Sequence, residues 1–196
     1  MTAFQNLPDG YKELFSVDLQ KDKKTALIIN ALSFVIAVIM AILLGVFVPL
    51  MSIYDDHLWM IFIKLGVLAL GMVLYFIFHE LTHGVTMKIF GAKKIKYGFT
   101  GLYAYAGSDD YYTKVPYIVI ALAPVVLWGI IFTILCFIVP YSWIWIIYFI
   151  QIINISGATG DLYVTFKFIR MPKDILVKDS GVSMIVYSKE IKKDLE

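Results

Sequence analysis

Cysteine and charge are what this chain has least of. Its 196 residues include one cysteine, Cys136, so no internal disulfide can form and nothing points to an oxidising compartment. Cys136 sits in an apolar run, where packing is its expected role. Only 16% of the residues are charged, while 60% are hydrophobic and the mean hydropathy is +0.80. A soluble domain of this length could not hide that much apolar surface, so the lipid bilayer is the expected solvent. There is no solenoid-type repeat, no low-complexity tract and no linker long enough to separate domains, which leaves one membrane domain with small polar additions. The small net charge of +2 carries little information, and no nucleic-acid partner is expected.

What the chain does have is four apolar runs long enough to cross roughly 30 Å of hydrocarbon, at about 25–50, 58–88, 116–139 and 142–166. No small-residue cleavage site follows the first, so it reads as a retained helix and not as a signal peptide. The expected fold is an α-helical integral membrane protein of four transmembrane helices. Its divisions are a cytoplasmic N-terminal segment (1–24), a four-helix membrane domain (25–170) and a cytoplasmic C-terminal segment (171–196). Sixteen of the seventeen Lys and Arg lie before the first run, around the second connection or after the fourth run; Lys64, inside the second run, is the exception. The first connection carries Asp55 and Asp56 and no basic residue, so the positive-inside rule predicts both termini on the cytoplasmic face of the cell membrane.

Two short hairpins are predicted by alternation of side-chain character. "KIKYGF" and "LYAYAG" flank Thr100-Gly101 and predict a hairpin at the membrane surface over about 94–107. "DILVK" and "VSMIVY" flank Asp179-Ser180-Gly181 and predict a small cytoplasmic hairpin over about 174–187.

The chemistry lies at the end of the second run, in "FHELTHG". Residues four apart share a helix face, so His79 and His83 can offer nitrogens to one ion with Glu80 beside them. Zinc suits these ligands, and a hydrolytic zinc site keeps one position open for water. The competing reading is of interfacial histidines satisfied by lipid or backbone, with Glu80 paired to Lys88 or to a loop lysine. Ionisable groups beside a span are costly, however, and three at ligand spacing are more economically explained by a metal.

Two histidines and a water leave a tetrahedral site one ligand short, and "GVTMKIFGAKK" after His83 supplies no His, Asp or Glu. Depth points to Asp161, the only acid in the fourth run. His79 lies 21 residues past Leu58, roughly 32 Å along a helix, and Asp161 lies 19 residues past Ser142, roughly 28 Å. Small residues in "NISGATGD" would let helices approach closely enough for a short carboxylate to reach the ion. The other reading pairs Asp161 with a lysine or a neighbouring helix. Asn154, two turns before Asp161, could bind a substrate carbonyl or make an ordinary interhelical hydrogen bond. Pro124 could bend the third helix or be merely tolerated there.

An HExxH on the second of four spans and an aspartate on the fourth resemble the site-2 intramembrane metalloproteases, in which the aspartate is the third zinc ligand. The usual Asn-Pro-containing segment ending Leu-Asp-Gly is only partly kept, since Leu162 follows Asp161 and the prolines are missing. The chain more closely resembles a bacterial family of small multi-pass membrane proteins described as zincin peptidases, matched over nearly its whole length by "LPDGYKELFSVDL", "FHELTHG", "KYGF", "YAYAG", "ALAP" and "NISGATGDL". That resemblance implies a zinc-dependent metallopeptidase, with Zn2+ held by His79, His83 and Asp161 and Glu80 as general base. The expected substrate is a membrane-anchored protein, whose unwound segment could add as a strand beside "GLYAYAG", near Tyr103 and Tyr105. Those tyrosines would equally suit an interfacial belt. A non-proteolytic scaffold with a structural zinc stands as the alternative; an ion transporter is disfavoured because no ladder of polar residues crosses the apolar runs.

Overall fold

The computed structural model describes residues 3–18, 21–54, 57–101 and 103–189. Asp55 and Asp56, which bear on orientation, and Leu102, in the first hairpin, lie outside the described residues. Among those described, four helical stretches are long and apolar enough to cross a membrane: Lys23–Phe47, Leu58–Ile89, Lys114–Ile138 and Tyr141–Ile169. The first three are single helices α1, α2 and α3 with those bounds. The fourth is not the uninterrupted helix expected over 142–166. After a 3-10 turn it is α4 (Ile144–Gly157), then a break at Ala158, then α5 (Thr159–Ile169). Gly157 and Gly160 flank the break, and glycine holds a helix poorly because its backbone has the most freedom to lose.

The chain forms two compact units, the first made of the described residues of Met1–Leu27, Glu80–Ala123 and Asp161–Glu196, the second of Ile28–His79 and Pro124–Gly160. In the second unit the apolar residues largely face outward. Phe34, Val46, Phe62, Leu70 and Ile130 are all exposed, and α1 buries no residue at all. That distribution suits a hydrocarbon solvent. A smaller core of Tyr75, Phe132 and Ile150 packs within this unit. Lys64 is fully buried there, donating to the Ile53 carbonyl at 2.8 Å.

The first unit is built on a five-stranded sheet, in the order β1 (Ala3–Phe4), β5 (Tyr111–Thr113), β6 (Leu176–Asp179), β7 (Ser183–Ser188), β2 (Lys12–Asp18). Every pairing in it is antiparallel. Along β7 inward residues alternate strictly, so Met184 and Val186 enter a core with Val177, Tyr112, Ile120, Phe168 and Met87. That core fixes the neighbouring parts of α2, α3 and α5 on one sheet. Lys114 adds to it by donating to the Ile169 and Met171 carbonyls at the end of α5, at 3.1 and 2.7 Å. The second predicted hairpin is therefore present but is part of a larger sheet completed by the N-terminal segment. The first is a separate two-stranded ribbon, β3 (Ile95–Phe99) with β4 (Ala104–Ser108), turning at Gly101 with a φ of 91°.

Candidate metal centre

His79 and His83 leave α2 on one face, and Asp161 sits in the first turn of α5. One ligand atom from each of the three lies within 4.8 Å of the others. His83 Nε2 is 3.6 Å from Asp161 Oδ2. Ligands about 2.0–2.2 Å from a tetrahedral zinc stand roughly 3.3–3.6 Å apart, so this donor set fits one such ion after small adjustments.

Ring orientation supports the same conclusion independently. His83 Nδ1 lies 2.9 Å from the Ile120 carbonyl oxygen, which can only accept, so Nδ1 carries a proton and, in the neutral ring, Nε2 has the lone pair. His79 is fixed by a longer relay. Its Nδ1 is 2.8 Å from the Tyr75 hydroxyl, which donates its one proton to Asn154 Oδ1 at 3.0 Å. The orientation of that amide follows from Asn154 Nδ2, which donates to the Val125 carbonyl and to Gln151 Oε1, both at 3.2 Å. Gln151 in turn donates to the Gly129 carbonyl and to Thr133 Oγ1. With its proton spent on Asn154, Tyr75 must accept from His79 Nδ1–H, which in the neutral ring leaves the lone pair on Nε2. Metal-ligating histidines are commonly held by a partner on the second ring nitrogen in this way.

Asp161 owes its place to the broken helix. The break frees the Ser156 carbonyl, which accepts from Ser33 Oγ and Thr159 Oγ1, each at 2.6 Å, and a new helix starts just before the acid. An acid in a first helical turn also has the helix dipole in its favour. The small residues of "NISGATGD" divide in role. Ser156 and Ala158 are buried, whereas a Cβ at Gly157 or Gly160 would meet nothing within 4 Å, so the glycines do not serve close approach.

Glu80 follows His79 on α2 and is half-buried. Asn154 is fully buried and accepts from the Tyr75 hydroxyl. Tyr105 packs its ring where a Cβ on Gly98 or Gly181 would stand, and a Cβ on Gly107 would overlap the Ser180 backbone. Tyr103 precedes β4, its carbonyl accepting from Thr100 N at 3.0 Å. Asp109, a further acid of the ribbon, pairs with Lys96 at 2.6 Å, which holds its carboxyl below the usual range. Sequence reasoning missed Tyr75, although its place four residues before His79 puts it on the ligand face. It also missed the half-buried acid Asp179, which accepts from the Tyr117 hydroxyl and from Gly181 N.

Comparison with known proteins adds a family to this geometry. Residues 71–176, from just before Tyr75 to past Asp161, match the model of a family described as "Putative zincin peptidase". The chain belongs to that family. Zincin peptidases are zinc-dependent, which agrees with the donor set of His79, His83 and Asp161. A protein of Pyrococcus woesei, named "Uncharacterized 24.7 kDa protein in gap 5'region", is 36% identical over 127 residues, covering 60% of this chain and 53% of its own length. The chain thus spans about half of that relative. No solved structure matches it.

Proposed function

We propose that the protein is an intramembrane zinc metalloprotease that cuts membrane-anchored proteins near the cytoplasmic face of the cell membrane. The observation carrying this reading is a pair of imidazoles, each held at Nδ1 and grouped with a carboxylate within 4.8 Å, with Glu80 next to His79 in sequence. His79, His83 and Asp161 would hold the zinc. When bound, zinc supplies Lewis acidity, lowering the pKa of water toward neutrality and polarising a scissile carbonyl. Glu80 accepts a proton from the attacking water and delivers it to the leaving amine. Asn154 orients Tyr75 and has no free donor assigned to substrate.

A transmembrane substrate hides its peptide bonds in its own helix, so a segment must unwind before it is cut. Among the described residues strand β4 pairs with β3 alone, and an extended segment could add along its other edge, its freed backbone groups meeting those of β4. The Ser180–Gly181 turn crowds that strand near Gly107 and meets the Tyr105 ring, leaving the Ala104 end as the place for such pairing.

The test separates metal holding from hydrolysis. Purified wild type, Glu80→Gln and Asp161→Ala are compared for zinc content and for cleavage of a membrane-embedded reporter. Glu80→Gln should keep zinc and lose cleavage, because an amide keeps the shape but accepts no proton at neutral pH. Asp161→Ala should lose most of the zinc. A fully active Glu80→Gln protein would refute the mechanism, and a wild type that holds zinc but cleaves nothing would favour a scaffold with a structural metal.

A further inference from the structure

We infer that Pro124 is a positioning residue for His83, acting through the backbone carbonyl it frees. Within α3 the amide of residue 124 would ordinarily bond the carbonyl of residue 120. Proline has no amide proton, and its ring pushes the carbonyl four residues back off the helix line. The carbonyl so released is that of Ile120, a residue 1% exposed, where an oxygen without a partner would be costly. His83 Nδ1 lies 2.9 Å from it. The two needs match: a buried carbonyl deprived of its helical donor meets a buried imidazole N–H that must have an acceptor. Their bond sets the ring's tautomer and aims Nε2 at Asp161. A helix with an ordinary residue at 124 would draw the Ile120 oxygen back along its axis and loosen the ring.

This rests on the metal-site reading above, and its test is chosen to fail separately from it. Zinc affinity is measured by chelator competition on detergent-purified full-length protein, with the Co2+ absorption spectrum as a second readout of ligand geometry. Pro124→Ala is expected to bind zinc on the order of tenfold more weakly and to shift the Co2+ bands. Its metal-free thermal stability should hold or rise, since alanine suits a helix interior better than proline. A purely structural proline would give the reverse, lost stability with unchanged affinity, which overturns the inference. The α-hydroxy analogue of alanine placed at 124 by nonsense suppression gives an ester with no N–H, and it is expected to restore affinity to near the wild-type value. This second variant decides the matter if Pro124→Ala folds poorly: binding as weak as tenfold below wild type would overturn the inference. His83→Ala is the control for the site itself. Full zinc retention there would reject the metal-site reading, whatever Pro124 does.

Discussion

Replacing Tyr75 by Phe removes one oxygen atom and changes little else in the core. That oxygen stands between His79 Nδ1 at 2.8 Å and Asn154 Oδ1 at 3.0 Å, with Tyr75 only 3% exposed. No water can readily replace it, so the substitution leaves one buried N–H and one buried carbonyl oxygen short of their partner. Each lost partner costs about 1–3 kcal/mol in the folded state. The His79 ring, no longer held at Nδ1, can turn or take the other tautomer, and losing such a partner weakens metal binding about 10–100-fold. The change corresponds to about 1.4–2.8 kcal/mol of binding free energy. Tyr75→Phe should therefore lower both zinc affinity by chelator competition and thermal stability of the metal-free protein. Asn154→Leu should lower zinc affinity by a smaller factor, because the Tyr75 hydroxyl can then turn its proton toward His79 Nδ1 and compete with Nε2 for the right tautomer. The reasoning fails if Tyr75→Phe binds zinc as tightly as wild type while His79→Ala does not.

Single cysteines at positions 56 and 94, in a Cys136→Ser background, should react with an impermeant thiol reagent from opposite sides of the membrane, position 56 from outside; labelling of both from outside would refute the proposed orientation. Gly107→Ala should destabilise the protein by about 1–3 kcal/mol in thermal unfolding, because a Cβ there meets the Ser180 backbone. Gly157→Ala, with nothing within 4 Å of the new Cβ, should stay within about 1 kcal/mol of wild type. Burial holds the Asp179 carboxyl above the usual range, against the opposing pull of the Tyr117 hydroxyl and Gly181 N–H. With its folded pKa above its unfolded one, this group's stabilisation is present below about pH 4 and is lost as pH rises through the folded value. Asp179→Asn should flatten that part of the stability–pH curve of metal-free protein; an unchanged slope would show that Asp179 does not produce it.

The long periodicities and the histidine spacing were legible in the sequence because each is written in a single stretch of chain. Four apolar runs, the spacing of His79 and His83, and the turn glycines at 101 and 181 need no knowledge of what packs against them. The N-terminal strand β2 was not legible. Its register slips between Glu13 and Phe15 where it pairs with β7, so the alternation that marks a strand is broken in the middle of "KELFSVD". The break in the fourth helix was written in "SGATG", but the small residues there suggested close packing, and only the open space around Gly157 and Gly160 separates flexibility from fit. Asp179 stayed hidden because an acid in a hairpin turn ordinarily faces water, and its partner Tyr117 lies 62 residues earlier.

The groups that orient the ligands are a harder case, because one of them is not a side chain. Tyr75 could be found by asking which residue shares the helix face of His79 one turn earlier, a question of spacing alone. The partner of His83 is the main-chain carbonyl of Ile120, which every residue possesses and no motif can single out. What distinguishes this carbonyl from its neighbours is the residue four positions ahead. A proline inside an apolar helix marks, by its missing proton, one oxygen that must find its donor elsewhere. Reading such a proline for the carbonyl it frees, as well as for the bend it could introduce, turns "ALAPVV" from a tolerated irregularity into a statement about which backbone atom is available to the site.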